Sequence, residues 1–153
     1  MKSSAEAFSS TASIEKSWAS VFADLVKARL TALVLLTTFV GFYLGWQGPM
    51  NFLAMFHALF GTALVAAGAS ALNQWLEREY DAKMRRTASR PLPSGRMQPA
   101  TVALFGGVTS VLGLVYLAVL VNPLTSVVGA VTSISYLFIY TPLKRVTWTN
   151  TLV

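Results

Sequence analysis

The sequence predicts an all-α polytopic membrane protein on three observations. Of its residues, 54% are hydrophobic and only 12% charged; two long stretches hold no charge at all; and the basic residues cluster at the margins of those stretches. No Asp, Glu, Lys or Arg occurs from Leu30 to Leu76, nor from Met97 to Leu143. About 20 apolar residues cross a bilayer core as a helix, so each stretch is long enough for two spans and a turn.

The turns are marked by residues that stop helices. Trp46-Gln-Gly-Pro-Met-Asn51 divides the first stretch and Val121-Asn-Pro123 the second, which predicts helices near residues 28–46, 52–80, 99–120 and 124–141. Neither turn is charged. By contrast, Lys27 and Arg29 precede the first span, Arg78, Lys83, Arg85, Arg86, Arg90 and Arg96 separate the second from the third, and Lys144 and Arg145 follow the fourth. Two spans lie between successive clusters, so all three share one side, and the positive-inside rule makes that side cytoplasmic.

Ahead of the first span, Ile14, Trp18, Val21, Phe22 and Leu25 recur at helical spacing, as in a helix lying in the interface, while Met1 to Thr11 read as disordered. No basic n-region followed by an apolar stretch marks a cleaved signal. The predicted organisation is residues 1–24 as a disordered and interfacial segment and residues 25–153 as the membrane domain. The net charge of +6 is a topology signal first and an attraction to phosphate or anionic lipid second; nucleic acid is not an expected partner. The absence of cysteine excludes disulfides, thiolate catalysis and Cys-based metal sites. Oxygen chemistry remains.

The oxygens are concentrated where the second span ends. Asn73, Glu77 and Asp81 are four residues apart, so on a helix they drift by about 40° and rise by about 6 Å per step and form a ladder on one face. Two carboxylates at i,i+4 repel, more so at low dielectric, and call for a cation between them. Hard oxygen donors without His or Cys favour Mg²⁺, which commonly takes one or two carboxylates and completes its shell with water and substrate phosphate. Lys83, Arg85, Arg86, Arg90 and Arg96 follow directly, suited to phosphate oxygens that the metal leaves uncovered. Pro91, Pro93 and Gly95 would keep this loop non-helical above the ladder. Topology alone also accounts for a basic loop beside a helix end. The regular spacing, the amide at the deep end and the density of cations favour a metal-phosphate site.

These residues resemble a known family. Asn73-x-x-x-Glu77-x-x-x-Asp81 is similar to the first acidic motif of the intramembrane UbiA-type prenyltransferases, and the continuation through Met84-Arg-Arg-Thr87 and Arg90-Pro-Leu-Pro-Ser-Gly-Arg96 looks like its protoheme IX farnesyltransferase (heme O synthase) branch. Lys27-x-Arg29-Leu and Tyr140-Thr-Pro-Leu-Lys-Arg145 are similar to that branch too. The resemblance implies transfer of a farnesyl group from farnesyl diphosphate to a vinyl group of heme b, forming heme O on the route to heme A, in a bacterial inner membrane. It implies that Asn73, Glu77 and Asp81 hold the Mg²⁺-diphosphate, that Lys83, Arg85, Arg86 and Arg90 stabilise it, and that Lys144 and Arg145 reach the same phosphates. It also implies a bundle of about nine helices with a second Asp-rich motif. The acids outside the ladder region are Glu6, Glu15 and Asp24, so this chain is expected to be an N-terminal portion, inactive alone. Ala28 stands where the family commonly has Pro. An aromatic quinone precursor as acceptor, or a non-catalytic four-helix fragment, is the alternative.

His57, the one histidine, is placed near the outer end of the second span, away from the ladder, and reads as a pore-facing or interface residue before a heme ligand. Trp46, Trp148, Tyr43 and Tyr140 read as interfacial aromatics. Gly61, Gly68, Gly106, Gly107, Gly113 and Gly129 suit close helix contact.

Overall fold

Each break predicted from Gly, Pro and Asn is a helix boundary in the computed structural model, which describes residues 18–85 and 87–141. The described elements are α1 (Trp18–Leu25), α2 (Ala28–Gly45), α3 (Phe52–Asp81), α4 (Pro99–Leu120) and α5 (Pro123–Ile134), the last continued by a π-helical turn, Ser135–Tyr140. Counting α5 and its π turn as one, α2 to α5 supply four helices long and apolar enough to cross a membrane. The caps explain the boundaries. Asn51 Oδ1 accepts the Ala54 N–H at 3.0 Å, and Asn122 Oδ1 accepts the Thr125 N–H at 2.7 Å, each satisfying a donor that the first turn leaves open. Pro99 and Pro123 open α4 and α5, where a missing N–H costs nothing. Gly48 has φ 95°, a backbone conformation available to glycine at no steric cost.

The antiparallel pair α3 and α4 is the centre of the bundle, and small residues let it close. A Cβ at Gly68 would stand 2.3 Å from Ser110 Oγ and 2.7 Å from both Gly106 O and Ser110 N; one at Gly113 would stand 2.8 Å from Val65 N; one at Gly61 would stand 2.5 Å from Leu117 Cδ2. Backbone therefore meets backbone. Gly107 departs from the expected contact role, since a Cβ there would have nothing within 4 Å, and Gly129 has only ordinary contacts, at 3.6 Å with Leu114 and 3.8 Å with Leu117. Both lie off the α3–α4 seam. Helices α2 and α5 flank the pair and expose apolar side chains such as Leu33, Leu36, Leu124, Val128 and Phe138.

Near the ladder end a small core of Leu25, Ala71, Leu92 and Val102, with Trp75, Met97 and Phe105 against it, joins α1, α3, the long loop and α4. Helix α1 is packed onto the bundle: Val21 and Leu25 are buried, and Phe22 meets Phe105 edge-on, with ring centroids 6.1 Å apart. The fully buried Gln74 donates its two amide N–H bonds to the carbonyls of Asp24 at 3.0 Å and Leu25 at 2.7 Å, satisfying two of the carbonyls that the end of α1 leaves open. Lys27 follows in the left-handed region at φ 49°, which for a non-glycine residue costs about 1–3 kcal/mol and turns the chain into α2. Ala28 is the first residue of α2. Ile14 and Met1 to Thr11 lie outside the described residues.

Candidate functional site

The last third of α3, Leu72-Asn-Gln-Trp-Leu-Glu-Arg-Glu-Tyr-Asp81, is rich in polar side chains and buries its oxygen-bearing face. Asn73 is 3%, Glu77 6% and Asp81 3% exposed, because the ladder faces the loop and the last span. Two buried carboxylates one turn apart require compensation. Arg90 provides it: its Nη1 hydrogen-bonds Asp81 Oδ2 and lies 4.0 Å from Glu77 Oε2. The loop brings Arg90 there through its own anchors. The Thr87 hydroxyl donates to the Asp81 carbonyl at 2.9 Å, and Pro91 and Leu92, next in the chain, are buried. The cation that the carboxylate spacing demands is thus a residue of the loop expected to hold phosphate.

Asn73 is held from both ends. Its Nδ2 donates to Glu77 Oε2 at 3.0 Å and its Oδ1 accepts from Thr141 Oγ1 at 2.8 Å. Exchanging the amide N and O would set oxygen against carboxylate, so the network settles the orientation. In this arrangement Asn73 orients Glu77. Thr141 reaches it because the preceding turn is π-helical; its N–H bonds the carbonyl of Tyr136, five residues back, and its Oγ1 lies 2.9 Å from the same oxygen. Single π turns inside α-helices recur at functional sites. Thr141→Val is expected to leave the buried Asn73 oxygen without this donor and to destabilise the fold by about 1–3 kcal/mol. Thermal unfolding in detergent measures it, and Thr141→Ser should recover most of the loss; a valine variant as stable as wild type refutes the relay.

Beside the ladder lies a cavity of about 260 Å³ lined by Lys27, Leu30, Asn73, Glu77, Tyr136 and Tyr140. Lys27 Nζ donates to the Tyr136 hydroxyl at 3.1 Å, and the Tyr136 and Tyr140 rings stack at 5.8 Å. The lining combines the Glu77 carboxylate, the Asn73 amide and the Lys27 ammonium with the aliphatic carbon of Leu30 and the aromatic carbon of Tyr136 and Tyr140. Such a lining suits an amphiphile with a charged head.

The other predicted residues are distributed unevenly. Lys83 and Arg85 are exposed, with Lys83 over the Tyr80 ring at 5.8 Å. Arg96 turns to the Ser89 carbonyl, its Nη2 donating at 2.7 Å. Arg86, Lys144, Arg145 and Trp148 lie outside the described residues. Arg78 pairs with Glu79 at 3.6 Å and lies over the Trp75 ring at 5.5 Å. His57, roughly 24 Å along α3 from Asn73 at 1.5 Å per residue, has its Nδ1 2.7 Å from the Tyr116 hydroxyl. Sequence reasoning placed Lys27, Tyr140 and Thr141 in family-like motifs but gave them no part in the site, reading Lys27 as a topology charge and Tyr140 as an interfacial aromatic, and it passed over Tyr136. The i,i+4 tyrosine pair just ahead of Thr141 was the available signal.

Among the described residues no group of three His, Cys, Asp or Glu side chains forms a metal cluster. Asn73, Glu77 and Asp81 offer the hard oxygen donors that suit an octahedral ion whose remaining positions are filled by water and phosphate, with the Asn73 oxygen here accepting from Thr141.

The chain is 45% identical over 141 residues to a protoheme IX farnesyltransferase of Solibacter usitatus (86% of this chain, 48% of that protein). It is 45% identical over 129 residues to one of Salinibacter ruber (84% and 46%), and 38% identical over 133 residues to the human mitochondrial protoheme IX farnesyltransferase (87% and 30%). It therefore spans at most about half the length of these relatives. No solved structure matches it significantly. The profile of the UbiA prenyltransferase family matches residues 34–153, and with four spans of this length and apolarity the chain is a multi-pass integral membrane protein that belongs to that family.

Proposed function

We propose that this chain forms the diphosphate-binding part of a protoheme IX farnesyltransferase, which moves a farnesyl group from farnesyl diphosphate to a vinyl group of heme b and yields heme O. The observation that carries the reading is the buried Asn73-Glu77-Asp81 ladder with Arg90 beside it, whose Asn73 and Glu77 line a cavity together with Lys27, Leu30, Tyr136 and Tyr140. A polar head is held at the ladder while its hydrocarbon tail lies against the helices.

Each residue has a task. Asn73, Glu77 and Asp81 would hold Mg²⁺, with Asn73 also orienting Glu77 through its amide N–H, and the ion would supply positive charge to the departing diphosphate. Arg90, Arg96, Lys83, Arg85 and Arg86 on the loop, with Lys144 and Arg145 after the last span, neutralise phosphate oxygens and lower the barrier to departure. Leu30 and the tyrosine rings exclude water from the developing allylic cation, and the electron-rich rings favour positive charge. The terminal vinyl carbon of heme b then bonds to the farnesyl carbon that diphosphate has left, and a water adds to the resulting carbocation and loses a proton, giving the hydroxyethylfarnesyl side chain of heme O. All these cations lie on the cytoplasmic side of a bacterial inner membrane by the positive-inside rule.

The test uses membranes containing the chain alone or joined to the remaining half of the Solibacter usitatus relative, supplied with labelled farnesyl diphosphate and either heme b or an aromatic acid. Label in heme O is expected from the joined form, and none from the chain alone. Label only on the aromatic acid refutes the heme assignment.

A further inference from the structure

The contact between Arg90 and the carboxylates bears on what the ladder will accept. Any cation that binds Glu77 and Asp81 together has to take the place of the Arg90 guanidinium, which already bonds Asp81 and lies 4.0 Å from Glu77. We propose that Arg90 is a resident counter-ion that makes the site select a metal–diphosphate pair over a bare metal ion, passing from the carboxylates to phosphate as the pair binds. This rests on the metal–diphosphate reading above.

The geometry allows the exchange without moving the loop. The backbone of Arg90 is pinned: its N–H donates to the Thr87 carbonyl at 3.0 Å, its carbonyl accepts the Ser94 N–H at 3.0 Å and the Ser94 hydroxyl at 2.6 Å, and Pro91 and Leu92 are buried beside it. Its side chain is 24% exposed, so the guanidinium can change partners by rotating side-chain torsions. Charge sets the direction. With Arg90 in place the two carboxylates carry a net single negative charge. A divalent ion arriving alone must displace a bonded guanidinium that then has no anion to meet. When diphosphate arrives with the metal, the displaced guanidinium finds phosphate oxygens, which match its planar fork. Metal and anion thus bind cooperatively, and linkage makes the help mutual.

The experiment reads Mn²⁺ uptake by electron paramagnetic resonance, on protein in lipid nanodiscs, with Mn²⁺ alone and with preformed Mn²⁺-pyrophosphate. Wild type should take up the bare ion weakly and the complex far better. Arg90→Gln should bind bare Mn²⁺ on the order of tenfold more tightly, and its preference for the complex should shrink by a similar factor. Arg90→Lys, which keeps the charge but loses the fork, should stay near wild type for bare Mn²⁺ and lose preference for the complex. Arg78→Gln removes an equal charge from a residue paired with Glu79 and should change neither. If the complex binds wild type but Arg90→Gln takes up bare Mn²⁺ no more tightly, the counter-ion role is wrong and the site stands. If neither protein takes up manganese in either form, the metal–diphosphate reading falls and the counter-ion role falls with it.

Discussion

Asp81→Asn is expected to reduce farnesyl transfer to heme b by roughly a hundredfold or more, the usual cost of removing one preorganised electrostatic group from a reacting centre. The substitution preserves size and takes away one of two buried carboxylates. It removes a proposed metal ligand and also the hydrogen-bonded partner of Arg90, so both charges proposed to meet the donor head are disturbed together. Glu77→Gln should do the same for a different immediate reason: Asn73 then donates to a neutral oxygen and the proposed metal site loses its deeper carboxylate. Both changes lie at the polar end of α3 and leave its apolar stretch unaltered, so membrane insertion and helicity should persist. Heme O formed by membranes carrying the joined form measures the first effect, and circular dichroism checks the second. Wild-type turnover in either variant would leave the carboxylates without a role in the reaction.

Gly68→Val should prevent stable folding. Its Cβ would stand 2.7 Å from the Gly106 carbonyl oxygen and the Ser110 nitrogen, both backbone atoms that no rotamer change can withdraw. Inserting carbon into a packed contact costs about 1–3 kcal/mol where side chains can adjust; here α3 and α4 must separate along their seam, so the loss should lie at or above the top of that range. Gly107→Ala, with nothing within 4 Å of its Cβ, should be near neutral. Thermal unfolding of the two variants in the same detergent decides the point. A Gly68→Val protein that unfolds with wild type would mean that the α3–α4 seam is not closed as described. The site would suffer along with the fold, since Asn73, Glu77 and Asp81 are all on α3.

Much of this architecture was legible from local signals. Asn51, Pro99, Asn122 and Pro123 act through bonds to their own first turns, and the boundaries they imply agree with the observed helices within about a residue. The ladder was legible because helical periodicity alone puts residues 73, 77 and 81 on one face. The partners of the ladder were not. Thr141 lies 68 residues from Asn73 and reaches it through a π turn that no residue pattern announced. Tyr140 looked like an interfacial anchor because aromatic residues at helix ends usually are, and only the stacking on Tyr136 beside Glu77 places it on the cavity. Gly107 and Gly106 are identical in sequence terms, yet one faces Leu72 and the other open space.

By itself, then, the sequence determined that the described residues hold four helices long and apolar enough to cross a membrane, where each of those four starts, and which face of the second carries the oxygen-bearing side chains. Those properties depend on hydropathy, capping and a period of 3.6 residues, all of which act over one or two turns. The tertiary structure decided which of many cations meets the carboxylates, why Asn73 points its N–H at Glu77, and that Lys27, Tyr136 and Tyr140 close a cavity against the same acid. These depend on distances between segments far apart in the chain, set by how closely Gly68 and Gly106 let two helices approach and by where Pro91 and Leu92 fix the loop.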